Sequence, residues 1–336
     1  MLELCVIEGD GVGHEVIPAA LRILEVVLPE IKTHPAQAGW ECFQACGTSL
    51  PDETIELAKT CRAVLFGAAA SPSYSVEGYF SPILQLRREL DTFANLRPTR
   101  YLPVVTARPG VNLLVVRENT EDLYTGSETT SASGDTSIAR KVITRRATER
   151  VAHSAYKLAR LAGRSRVTIV HKANILPQSD GLFRRVALEV GEKYPDIDTD
   201  ELLVDTAAYW MVKDPTRFDV ILTSNLYGDI LSDMAAAWGG GLGLAPALNI
   251  GDEMGIAEPV HGSAADISGK GIANPIAAIL SLAMLTRYHW EMPEVAQQIE
   301  KAVCATLEAG DYTEDIYAEG AISTVEITDR VCQHLG

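Results

Sequence analysis

Short apolar runs alternate along this chain with longer stretches whose apolar positions recur every third or fourth residue. The runs predict strands over 2–7, 63–66, 111–117, 167–170, 202–205 and 218–223. The longer stretches predict helices over 15–28, 81–90, 147–162, 181–193, 229–237, 275–288 and 295–309. The two kinds interleave from the start, so the expected class is α/β with helix-covered, mostly parallel sheets. No internal repeat or low-complexity segment interrupts the pattern.

Two breaks divide it. One runs from Arg97-Pro98 to Pro109-Gly110, and the other is the glycine-rich piece Trp238-Gly-Gly-Gly-Leu-Gly-Leu-Ala-Pro246. They suggest an outer domain over 1–95 and 240–336, with a middle domain over 96–239 inserted into it. Within the middle piece, 126–142 is polar with strand-like ends and reads as an arm of the kind that joins subunits.

Charge narrows the partners. A net charge of −16 over 336 residues argues against nucleic acid and anionic membranes, which need a basic face. No apolar stretch is long enough to span a bilayer, and no signal peptide is apparent, so a cytoplasmic location is expected. The six cysteines are scattered and suit buried thiols in a reducing compartment. Cys42 and Cys46 are the one close pair, and no second Cys or His pair completes a zinc site with them.

Candidate chemistry concentrates in a few places. Asp229-Ile-Leu-Ser-Asp233 puts two carboxylates on one helical face just after the apolar run 218–223, an arrangement suited to Mg²⁺ or Mn²⁺. The plainer reading is a helix start that favours acids. Arg87, Arg97 and Arg117 lie in or beside apolar runs, where a guanidinium needs an anion. Together they imply a di- or tricarboxylate, unless internal ion pairs use them up. Lys172 follows the strand at 167–170 and, with Tyr124, is the acid–base candidate. Tyr124 could equally be a packing aromatic.

Gly9-Asp-Gly-Val-Gly13 lacks the spacing of the Rossmann fingerprint and reads as a tight turn. The loop His261-Gly262-Ser263-Ala264-Ala265-Asp266, with Asn274, could face an adenosine; an acid at Asp266 would favour NAD over NADP.

Taken together, these segments resemble the β-decarboxylating dehydrogenases, the isocitrate/isopropylmalate dehydrogenase family. The carrying stretches include Ile7-Glu-Gly-Asp-Gly-Val-Gly13, Leu86-Arg-Arg-Glu-Leu90, Val116-Arg-Glu-Asn-Thr-Glu121, His171-Lys-Ala-Asn174, Asn225-Leu-Tyr-Gly-Asp-Ile-Leu-Ser-Asp233 and Glu258-Pro-Val-His-Gly-Ser-Ala-Ala-Asp-Ile267. The resemblance implies a two-lobed fold of that family and not a Rossmann fold. It implies that Arg87, Arg97, Arg117 and Asn174 hold the substrate and that Asp229 and Asp233 bind Mg²⁺ or Mn²⁺. Asp205 would join the metal, and Lys172 would act as base, from the neighbouring subunit. Tyr124 would protonate the enol, and His261, Gly262, Ser263, Ala264, Asp266 and Asn274 would bind NAD. The active unit would then be a homodimer with shared sites; pairing of dimers into a tetramer is left open. Ala265 departs from the proline usual in this loop, and Thr206-Ala-Ala-Tyr-Trp210 departs from the common form after Asp205.

The variable arm of a 2-hydroxy-acid substrate is expected near Ser81, Ile83 and Leu84. Gly78-Tyr-Phe-Ser-Pro-Ile-Leu-Gln-Leu-Arg-Arg88, the short loop Ser71–Gly78 and Arg117-Glu-Asn-Thr-Glu121 resemble homoisocitrate enzymes most. The expected reaction is therefore NAD-dependent oxidative decarboxylation of homoisocitrate, in lysine synthesis through α-aminoadipate. The rival is 3-isopropylmalate, in leucine synthesis, since Ile83-Leu84 could equally bury an isopropyl group; isocitrate is less favoured.

Overall fold

The computed structural model describes residues 2–72, 74 and 76–335. Ser73 and Ser75, in the loop singled out above, lie outside the described residues. The strands are β1 (Glu3–Gly9), β2 (Lys32–Ala36), β3 (Ala63–Ala68), β4 (Ala94–Arg100), β5 (Asn112–Glu118), β6 (Glu128–Thr130), β7 (Ser137–Ala139), β8 (Arg166–His171), β9 (Asp198–Leu203), β10 (Val220–Thr223), β11 (Pro246–Ile250) and β12 (Gly255–Pro259). The helices are α1 (Gly13–Val27), α2 (Trp40–Cys46), α3 (Asp52–Cys61), α4 (Pro82–Glu89), α5 (Arg145–Leu161), α6 (Ser179–Gly191), α7 (Val204–Lys213), α8 (Asn225–Ala236), α9 (Ile276–Tyr288), α10 (Pro293–Glu308) and α11 (Thr324–Gln333). No described helix is long and apolar enough to cross a membrane.

The chain forms two compact units. The first comprises Met1–Thr92, Tyr101–Pro109 and Ala236–Gly336; the second comprises Phe93–Arg100 and Gly110–Ala235. In the first unit the strands lie in the order β2-β1-β3-β12-β11. They are parallel except where β11 meets β12. Each residue of β3, Ala-Val-Leu-Phe-Gly-Ala, is buried, as expected of a parallel strand covered on both faces. Helix α9 is buried over the whole of Ile276–Thr286, so it is the apolar pillar of this unit, packed by α1, α10 and β12.

In the second unit the order is β4-β5-β10-β8-β9, parallel except for β4 against β5. Helix α5 begins where the Thr144 side chain accepts from Ala147 N–H, and it packs its apolar face on β5 and β10. The segment 126–142 holds the antiparallel hairpin β6–β7, all of whose residues are exposed.

The α/β class with largely parallel, helix-covered sheets is as expected. The glycine turn is a packing device. A Cβ on Gly9 would stand 1.8 Å from Ala68 O, and one on Gly11 would stand 2.2 Å from Ser263 O. Both glycines also have positive φ. Two expectations are corrected. The strand predicted over 202–205 is β9, which ends at Leu203, so Asp205 is helical, in the first turn of α7. Helix α8 starts at Asn225, which puts Asp229 a full turn inside it and not at its start.

Candidate active site

The strongest convergence of charge in the second unit gathers around α8. Asp229 and Asp233 occupy one face of that helix at i and i+4. One atom shows that they face a common volume: Arg97 Nη1 lies 3.4 Å from Asp229 Oδ1 and 3.0 Å from Asp233 Oδ1. Arg97 comes from β4 and also donates to Ser232 Oγ at 2.8 Å. Arg117, from the end of β5, is 1% exposed. Its Nε and Nη2 donate to Asn225 Oδ1 at 2.9 and 2.6 Å, and its Nη1 donates to Asp229. Gly228 makes this possible, because a Cβ there would come within 2.6 Å of the Arg117 side chain.

Tyr124 joins the same group. A one-turn helix over Leu123–Thr125 carries it, entered through Asp122 at φ 73. Its hydroxyl donates to Asp229 Oδ2 at 2.6 Å, and its ring lies under the Arg117 guanidinium, 4.9 Å from centroid to carbon. Burial, more than any other cause, raises the phenol above its ordinary value, so it is protonated at neutral pH. Asp233 is raised chiefly by burial and, against the pull of Arg97, by the neighbouring Asp229 charge.

The donor set suits a hard dication. Two carboxylates face one volume, and their side chains are 36% and 53% exposed, so an ion can reach them. As they stand, two guanidiniums neutralise two carboxylates. A dication there would leave the group strongly positive and release guanidinium donors for an anion.

Lys172 and Asp205 form a separate pair. Lys172 follows β8, and its Nζ is ion-paired to Asp205 on α7. That hydrogen bond holds the Asp205 carboxyl below its ordinary value. Asp180 positions the backbone by accepting from Lys172 N–H at 2.6 Å, and it is ion-paired with Lys141 Nζ at 2.7 Å. Among the described residues, Asp205 does not cluster with Asp229 and Asp233 in the single chain. Asn174, in the turn after Lys172, is exposed.

The remaining residues lie in the first unit. Arg87, at the end of α4, is ion-paired with Glu258 on β12, and Glu258 also accepts from Asn249 Nδ2 at 2.9 Å. Ile83 packs on the core formed by Cys5, Ile7, Leu86 and their neighbours, while Ser81 and Leu84 are part-exposed.

In the nucleotide-loop candidate, Ser263 O accepts from Val12 N–H, tying the loop to the glycine turn, and Ala264 has φ 39. Burial lowers His261, leaving it neutral at pH 7. Gly262 and Asp266 are exposed. Asn274, two residues before the start of α9, accepts from Ile276 N–H at 3.0 Å and donates to Asp315 Oδ2 at 3.1 Å.

Residues that sequence reasoning did not single out include Asn225, Gly228, Ser232, Asp180 and Glu258. Asp10 is another: it is buried and accepts from Trp40, Glu41 and Ala70 N–H, which caps α2.

The chain is similar to known proteins along its whole length. The chain is 50% identical over 332 residues to the isocitrate/homoisocitrate dehydrogenase of Thermus thermophilus, covering 99% of this chain and 98% of that one. It is 46% identical over 340 residues to the 3-isopropylmalate/3-methylmalate dehydrogenase of Methanocaldococcus jannaschii, covering 100% and 99%. The solved isocitrate dehydrogenase of Methylococcus capsulatus superposes with a TM-score of 0.96 at 38% identity, covering 100% and 99%. Residues 3–331 match the model of the isocitrate/isopropylmalate dehydrogenase family, and the chain belongs to that family.

Proposed function

We infer that this enzyme oxidises and decarboxylates homoisocitrate to 2-oxoadipate and CO₂ with NAD, in lysine synthesis through α-aminoadipate. The observation that carries the reading is the meeting of Arg97, Arg117 and Tyr124 on the Asp229–Asp233 carboxylates within one unit. Two guanidiniums beside an acid pair suit a substrate that brings carboxylates and a hydroxyl to a divalent ion. Mg²⁺ or Mn²⁺, held by Asp229 and Asp233 and by Asp205 of a second copy, would supply Lewis-acid stabilisation of developing oxyanion charge.

The chain's own groups account for the proton traffic. Lys172 first leaves its ion pair with Asp205 and gives up a proton to solvent; as the neutral amine it then accepts the hydroxyl proton as the hydride leaves the same carbon for the nicotinamide. Loss of CO₂ then leaves its bonding electron pair on the substrate as an enolate. Tyr124, protonated at neutral pH, returns a proton to carbon and is reprotonated from solvent. Its hydrogen bond to Asp229 must open first. Lys172 and Asp205 are paired in one chain, which supports their delivery together to a neighbour's site in a homodimer. The loop His261–Asp266 is assigned to NAD: an exposed acid there suits a free ribose 2′-hydroxyl and repels a 2′-phosphate.

A second reading, 3-isopropylmalate in leucine synthesis, has its own support. Leu84 is part-exposed beside Ile83, and a relative at 46% identity carries a 3-isopropylmalate name. An isopropyl arm buried there would gain about 1.5–3 kcal/mol. Side-by-side kcat/KM for homoisocitrate, 3-isopropylmalate and isocitrate, read as NADH formation with Mg²⁺, separates the readings. A preference for homoisocitrate is expected. A preference for 3-isopropylmalate would make Ile83–Leu84 the specificity pocket, and no NADH from any of the three would sink the catalytic assignment.

A further inference from the structure

A second group of metal-ligating side chains lies in the first unit and uses none of the residues discussed above. It forms at the open edge of the sheet, where β2 is the outermost strand and Pro35 sits in a place that an edge strand tolerates. In the parallel ladder Glu3 pairs with Lys32 and Cys5 with His34. Residues two apart on a strand share a face, as do ladder partners, so Glu3, Cys5 and His34 point to one side. Helix α3 packs against β1 and β2 and ends at Cys61, which shares the core cluster with Cys5.

The result is a carboxylate, an imidazole and a thiol, with one donor atom from each lying within 4.8 Å of the other two. Among the described residues it is the one such grouping of three. His34 Nε2 lies 3.3 Å from Glu3 Oε2, yet it is shielded from solvent and makes no hydrogen bond. This imidazole nitrogen, shielded from solvent and without a hydrogen bond, faces a carboxylate and a thiol and is free to ligate a cation.

We propose that Glu3, His34 and Cys61 bind a divalent transition ion of the Zn²⁺ class, with water in the fourth position. The donor set decides the class. Mixed sulfur, nitrogen and oxygen ligation suits borderline-soft ions, whereas the all-oxygen pair Asp229–Asp233 suits Mg²⁺ or Mn²⁺. Burial and the Glu3 charge keep the Cys61 thiol protonated, so binding releases that proton to solvent as the thiolate forms. The ion would tie β1, β2 and the end of α3 together at an edge that the core holds from one side only.

The test uses Co²⁺ as probe on the full chain, stripped with a chelator, with excess Mg²⁺ present to occupy the carboxylate pair. Thiolate ligation gives a sulfur-to-cobalt absorption band in the near ultraviolet, which oxygen ligation does not. The expected result is a saturable band at one equivalent that disappears in Cys61→Ser. His34→Gln, on the half-exposed strand where folding is least at risk, should weaken Co²⁺ binding at least about tenfold, the low end of what even outer partners of a metal site cost. Cys46 Sγ lies 3.6 Å from Cys42 Sγ and is the competing thiol site, so Cys46→Ser must leave the band intact. Absence of the band in the parent chain, its survival in Cys61→Ser, unchanged affinity in His34→Gln or its loss in Cys46→Ser would each overturn the proposal. NADH formation reports separately on the catalytic site.

Discussion

Arg117 and Arg87 look alike by burial and differ in what they face. Both guanidiniums are almost wholly enclosed, at 1% and 6% side-chain exposure. Arg117 meets Asp229, whose side chain is 36% exposed, and shares it with Arg97 and Tyr124. Arg87 meets Glu258, which is 8% exposed and bonded to Asn249 as well. The first is a charge pair that opens to solvent and can change partners. The second is closed and resembles an internal lock. Burial of an arginine therefore does not reveal its role; the accessibility of its acid does.

The comparison breaks most easily on the open side. Lys172→Ala and Tyr124→Phe should each lower kcat by about 10²–10⁴-fold, the range for losing a positioned acid or base. Neither should shift the unfolding midpoint much, because Lys172 is paired to an exposed Asp205 and Tyr124 loses one hydroxyl. Steady-state NADH formation beside urea unfolding measures both. Parent-like turnover in either variant removes that residue from proton transfer.

On the closed side the balance should reverse toward stability. Arg87→Ala leaves Glu258 enclosed without its cation, and breaking a buried pair in this way costs about 3–5 kcal/mol. Replacing both partners by apolar residues of similar volume should cost far less, since no charge is then stranded. A small unfolding shift in Arg87→Ala, with a large rise in KM, would show that this arginine belongs with Arg97 and Arg117 as a substrate ligand.

Much of this was visible in the residues. Strands β3 and β10 announce themselves because both faces are buried and nearly each residue is apolar. Strands β2 and β4 do not. Lys32-Thr-His-Pro-Ala36 lies at a sheet edge, and Ala94-Asn-Leu-Arg-Pro-Thr-Arg100 buries Arg97, whose neutralising partners come from distant sequence. The site divides the same way. Asp229 and Asp233 carry their relation in a four-residue spacing, and buried arginines demand an anion wherever they lie. Asn225 as a ligand of Arg117, and Gly228 as the space that admits it, depend on a contact between β5 and α8 more than a hundred residues apart. The Glu3–His34–Cys61 grouping has no spacing signal, because it exists only through the register of β1 on β2 and the end point of α3.

The smallest effect tests whether enclosure alone can retune an acid beside the open cluster. Glu121 accepts from Thr144 N–H and Oγ1, both at 2.8 Å, where the chain leaves the exposed hairpin segment for α5. Burial, with the charges of Glu118 and Asp122 behind it, raises its carboxyl from 4.5 to about 7, although the Thr144 bonds oppose this. The folded state thus holds a proton that the unfolded chain releases above about 4.5. Its contribution to stability is full below that pH and is lost as pH rises through about 7. Histidines lowered by burial, such as His171, act in the opposite direction over part of this window, so only a difference between variants isolates Glu121. Glu121→Gln keeps the shape and removes the titration. Urea midpoints taken across this pH range should fall less steeply in Glu121→Gln than in the parent. Parallel curves would mean that water or local opening keeps the carboxylate ionised, and that the enclosure at the foot of the hairpin is looser than its hydrogen bonds suggest.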